Sequence, residues 1–129
     1  MTKTIFKEKY PVYSLTIAKD TTTFTNVDAI IEALKAKVDA HPVARFIAIF
    51  DHYAHTSALA EGSIAEEIKD AKNLIFCFGK ELPTSKILAV RPRSIGVCEL
   101  ENAFAIDFME APNEQLQKTL QEWVTSLTS

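Results

Sequence analysis

Asp51-His52-Tyr53-Ala54-His55 places one acid and two imidazoles within a single short run. Histidines three positions apart share a face of a helical turn and can bind a metal ion, with Asp51 as a third ligand or as the carboxylate that orients one ring. Asp51 and His52 can equally act as a general base, the carboxylate holding the imidazole in one tautomer. A plainer role competes with both: Asp51 caps a turn, and His52 and His55 hydrogen-bond to the backbone at its edge. That role asks for the least preorganisation, so neither a metal nor any other cofactor is expected.

Lys80, Arg91 and Arg93 form a second cluster. Guanidinium forks suit carboxylate and phosphate groups through paired hydrogen bonds, which makes these cations candidates for holding a small anion. The alternative is a solvated loop whose arginines pair with Glu81, Glu99 or Glu101. Glu99 and Asp107 would make a paired-carboxylate site only if they lay close together, and strand carboxylates more often mark the wet face of a sheet. No nucleophile is legible. Thr56 and Ser57 lack the flanking glycines of an elbow, and Cys77 and Cys98 sit in apolar runs that read as buried thiols and disfavour thiolate. Of 3 glycines, none belongs to a phosphate-cradling loop, which sets nucleotide cofactors aside.

The elements that must position these groups follow from periodicity. Residues 12–17 alternate as a strand with Tyr13, Leu15 and Ile17 on one face. Thr25-Asn26-Val27-Asp28 offers a helix cap, and Val27, Ile30, Ile31, Leu34 and Val38 form a stripe that should stop near His41, ahead of Pro42. Phe46-Ile47-Ala48-Ile49-Phe50 is apolar on both faces, which predicts a central strand covered by helices on one side and by another subunit or layer on the other. Ser63-Ile64-Ala65-Glu66 reads as a capping box opening a short helix through about residue 71. A strand over 74–78 is closed by Gly79, and residues 86–90 are either a helical turn or a short strand between Pro83 and Pro92. Residues 94–100 and 103–110 pair as a hairpin turning at Glu101-Asn102, with Asn102 tolerating positive φ. Asn113 then caps a helix bearing Leu116, Leu120, Trp123, Val124 and Leu127.

That order predicts an α+β fold, a two-layer sandwich in which helices pack on one face of a mostly antiparallel five-stranded sheet, as one domain over residues 1–129. The long helix between the first two strands allows one parallel crossover. Ala48, Phe50, Ile75 and Cys77 leave the opposite face apolar, which predicts a homodimer.

Composition narrows the partners. A net charge of -3 and a pI near 5.6 supply no basic surplus to displace counterions from a phosphate backbone, so no nucleic acid is expected. No segment approaches the roughly 20 apolar residues of a membrane span, and the first ten residues carry no signal-peptide core, which predicts a cytoplasmic protein without membrane contact.

Three short motifs carry a resemblance: Asp51-His52 with Ala58 downstream, Cys77-Phe78-Gly79, and Glu110-Ala111-Pro112. Through them the stretch from 46 to 112 resembles the bacterial family catalogued as domain of unknown function 302, where a strand ends in Asp-His, a later one in Ile-Phe-Gly, and a hairpin ends near a proline. Lys80-Glu81 stand where that family commonly has Asn-Pro. The resemblance implies an α+β fold, often dimeric, without an established activity.

Two functions remain in view. One is a homodimeric binding module that takes a small anionic metabolite in a cleft formed by His52, His55, Lys80, Arg91 and Arg93. The other is a small enzyme with Asp51-His52 as general base, or a metal-binding protein through His52 and His55. The binding module is preferred because it needs no nucleophile.

Overall fold

A computed structural model of the chain describes residues 1–128. The alternating run at the start extends to β2 (Tyr10–Ala18), and β1 (Thr2–Phe6) folds back on it antiparallel. Lys7 and Glu8 between them take φ of 52° and 62°, and the Lys9 N–H donates to Phe6 O at 3.1 Å. This is the type I′ geometry that matches strand twist. Such turns usually carry Asn or Gly, so the Lys-Glu pair hides this strand from a reading of the sequence.

Helix α1 (Val27–Ala40) begins one residue later than a capping box on Thr25 and Asp28 implies, with the Asn26 side chain accepting from Ala29 N at 2.8 Å, and its C-cap is His41. Strand β3 (Arg45–Phe50) and helix α2 (His52–Ser57) follow, then β4 (Asp70–Cys77). The helix expected from the Ser63 capping box does not form. Residues 63–69 form a loop with one turn at 66–67, Ile68 N donating to Ala65 O, and the strand already starts at Asp70. With Ile64 and Ile68 as its larger apolar residues, that segment has too little to bury to repay helix nucleation. The ambiguous residues between the prolines form a 3-10 turn, Ser85–Ala89.

Strands β5 (Arg93–Glu99) and β6 (Ala103–Met109) make the expected hairpin, closed by Leu100 N to Ala103 O at 2.8 Å. Asn102 does not take positive φ, which among non-glycine residues described is confined to Lys7 and Glu8. Helix α3 (Glu114–Thr125) closes the layer, with the Asn113 side chain accepting from Leu116 N at 2.9 Å.

The fold is α+β, with three helices and one antiparallel sheet of six strands rather than five, ordered β1-β2-β6-β5-β4-β3. Every pairing is antiparallel, so the long α1 connection makes no parallel neighbours. It carries the chain from β2 across the sheet to its far edge. Leu74 and Phe76, Ile95 and Val97, and Phe104 and Ile106 point to one face, where they are buried against Ile30, Leu34, Leu120 and Val124 of α1 and α3.

The Phe46-to-Phe50 run is therefore an edge strand, not a central one. Its apolar character on both faces has local causes. Lys35 lies 4.8 Å from the Phe46 ring centre, Ile47 faces Leu82 and Leu88 across a surface cavity, and the imidazoles of His52 and His55 stand 5.1 and 5.3 Å from Phe50. None of the helices is long and apolar enough to cross a membrane among the described residues.

Candidate functional site

Register decides which of the candidate residues meet. Phe50 pairs with Asn73 on β4, and Arg93 pairs with Phe76. Thus α2, which follows Phe50, lies toward one end of β4, while Gly79, Lys80, Arg91 and Arg93 lie at the other. At a strand rise of roughly 3.3 Å per residue, the three steps from Asn73 to Phe76, the partner of Arg93, span about 10 Å, and Gly79 lies beyond the end of the strand at Cys77. The structure does not bring His52 and His55 to Arg91 and Arg93, and the single cleft expected from the sequence does not exist.

At the α2 end, Asp51 takes the structural role. Its Oδ1 accepts from Ala54 N at 3.0 Å as the helix cap, and its Oδ2 lies 3.8 Å from Lys72 Nζ, which also reaches Asp28 at 2.5 Å. His52 Nδ1 lies 3.0 Å from Thr56 Oγ1, so the Asp51 carboxylate engages backbone and lysine instead of the ring beside it. The two imidazoles are exposed, with ring centres 6.0 Å apart. No group of three His, Cys, Asp or Glu side chains suited to a metal occurs among the described residues.

The other carboxylates and the thiols are accounted for separately. Glu99 receives Lys19 at 2.7 Å on the helix-covered face, whereas Asp107 accepts from Ser14 on the opposite face, so they form no pair. Cys77 and Cys98 are free but half-buried rather than buried, because they alternate with Phe76 and Val97 onto the face without α1 and α3. Burial, with Asp107 and Asp70 nearby, pushes the Cys98 thiol up. That keeps it protonated and a poor nucleophile.

The cationic end is the better-formed site. Lys80 and Arg91 line an open cleft of about 460 Å³ with His41, Phe78, Asn113 and Leu116. Arg91 donates from Nη1 to Glu81 O at 2.7 Å and lies against Gly79. Arg93 is half-buried and donates from Nη2 to the carbonyls of Met109 and, at 3.1 Å, Glu110. Burial without a countercharge lowers its affinity for the proton from the ordinary arginine value.

Lys80, Arg91 and Arg93 make no ion pair with a carboxylate among the described residues. The acids expected to neutralise them are occupied elsewhere, Glu99 by Lys19 and Glu101 by Lys69 at 3.6 Å, while Glu81 offers Arg91 its carbonyl.

His41 is a member of this cleft that the sequence does not advertise beyond ending a helix. Its Nδ1 accepts from Val43 N and Ala44 N, both at 3.1 Å, which puts the proton of the neutral ring on Nε2. Edge contacts to Phe78 and Trp123, with centres 5.2 and 5.9 Å away, fix the ring plane.

Residues 1–129 match the profile of a family of unknown function, DUF6858. No curated protein and no solved structure matches the chain. The match overturns the resemblance to domain of unknown function 302, since a different family accounts for the whole chain. Motifs of two or three residues at strand ends recur wherever an apolar strand meets a turn, and they were too short to separate the two families.

Proposed function

The chain thus belongs to DUF6858, a family that brings no activity with it, and we propose that it is a homodimeric binding module for a small anionic ligand held by Lys80 and Arg91, with Arg93 beside them. The observation that carries this reading is the absence, among the described residues, of a carboxylate partner for Lys80 and Arg91, which line one cleft with Glu81, and for Arg93 in the adjoining cavity. Half-buried guanidiniums retain unused donors and a field that water screens only in part. An anion supplies what the fold withholds. His52 and His55, toward the other end of β4, take no part.

The test is thermal denaturation in the presence of inorganic phosphate and of acetate. Ligand that binds the folded state raises the melting temperature with concentration, so wild type should shift and Lys80→Ala with Arg91→Ala should shift much less. Equal shifts, or none, overturn the reading. Arg93 is a poor probe because its loss also strips donors from the Met109 and Glu110 carbonyls.

Dimerisation is supported by the edge strand. Ile47, Ile49 and Phe50 are 52%, 40% and 39% exposed, unusually open for an apolar strand with unpaired backbone groups along its outer side. Antiparallel pairing of this strand with its copy sets the apolar run Phe46-Ile47-Ala48-Ile49-Phe50 against itself, as a two-fold contact between identical patches does. A bulge between Phe46 and Ala48 shifts the register with β4, which is regular on either side of it. Sedimentation should give a dimer for wild type and a monomer for Ile49→Lys; a monomeric wild type overturns the dimer alone.

A further inference from the structure

Behind the cationic cleft lies a smaller, more enclosed cavity of about 140 Å³, walled by Phe78, Ile87, Val90, Leu116 and Leu120, with Arg91 and Arg93 on its polar side. Phe78, Arg91, Asn113 and Leu116 line both spaces, so the apolar recess opens from the same guanidinium that faces the cleft. We propose that the ligand is a carboxylate with an unbranched apolar tail of about four or five carbons, its head on Arg91 and its tail in the recess. This deepens the reading of Lys80 and Arg91 as an anion site and rests on it.

The size follows from volume. At roughly 30 Å³ per water-sized group, the recess holds between four and five such groups. Its walls come from the 3-10 turn, from the end of β4 and from α3, and they offer apolar surface where a purely ionic ligand would leave a hole. The head group follows from charge. Arg93 spends donors on two carbonyls and Arg91 one on Glu81, and both are half-buried. Desolvating a second negative charge in such a place costs more than the remaining donors return, which favours a monoanion over a phosphate dianion. A carboxylate also fits a guanidinium fork through two parallel hydrogen bonds.

Calorimetric titration of the full chain with acetate, butyrate, hexanoate, octanoate and inorganic phosphate separates the two layers of the argument. Affinity should rise about fourfold per methylene up to the length that fills the recess, then level off. Ile87→Phe, which fills the recess from the 3-10 turn, should flatten the series, and Arg91→Ala should weaken every carboxylate. Affinity independent of chain length, or phosphate binding more tightly than hexanoate, overturns the tail proposal and leaves the anion site standing. If neither phosphate nor any carboxylate binds, both fall. The chain-length series on wild type decides the matter even if Ile87→Phe does not fold.

Discussion

Gly79 and Arg91 are in contact because Gly79 has no side chain: a β-carbon there would stand 2.5 Å from Nη1 and 2.8 Å from Cζ of the guanidinium. Arginine is thus laid flat on the backbone at the end of β4 and aimed along the cleft, with Glu81 O holding one of its nitrogens. Gly79→Ala should push the guanidinium aside while leaving the sheet intact. Phosphate or carboxylate binding should weaken by about tenfold, the worth of one charge-assisted hydrogen bond. A melting curve matching wild type together with unchanged affinity would show that Arg91 does not act from this position.

Asp51 works as a cap, and its two substitutions should separate that role from chemistry. Asparagine retains the oxygen that accepts from Ala54 N, whereas alanine does not. Urea denaturation should find Asp51→Ala less stable by about 1 kcal/mol and Asp51→Asn close to wild type. Equal losses in the two variants would mean that the negative charge, through Lys72, matters more than the cap.

Glu110 ties β1 to the rest of the sheet. Lys3 Nζ and Tyr13 OH both donate to its Oε2, at 2.9 and 3.1 Å, and these contacts, that of Lys3 foremost, hold the carboxyl below its ordinary range. A lowered folded-state value means that its contribution is complete above the unfolded glutamate value of about 4.3 and is lost as pH falls through the folded value. The same contact raises Lys3, whose share is complete below about 10.4 and lost as pH climbs beyond it. Wild type and Glu110→Gln should therefore differ slightly in urea midpoint at neutral pH and converge on acidification below about pH 4.3. A difference that persists at pH 2 would assign the effect to packing.

The strongly periodic elements were legible because burial enforces their pattern: α1, the β5–β6 hairpin and α3 with its Asn113 cap all stand where apolar spacing puts them. What failed depends on contacts distant in the chain. An apolar run such as residues 46–50 looks the same whether a neighbouring strand or a nearby loop and two imidazoles cover it, so its place at the edge could not be read from periodicity. The candidate site divided for the same reason. The strand-end rule picked both Asp51-His52 and Arg91 to Arg93 as exposed polar groups on a rigid scaffold, but only the register of β4 says that they occupy opposite ends of it. The place of His41 is not legible in the sequence because it depends on Phe78 and Trp123, residues far away in the chain.

The crossing of α1 from β2 to the far edge sets an order on how the protein can be made. As the chain leaves the ribosome, β4, β5 and β6 can each pair with the strand just completed, but β2 has only β1 beside it until β6 arrives, with Ser14 and Asp107 lying 93 positions apart. The amino-terminal hairpin must wait unsupported through most of translation, and long-range closure of this kind is the slow step in sheet proteins. Lys3, Lys7, Glu8 and Lys9, set among the apolar residues of that hairpin, are what keeps it dispersed in the meantime.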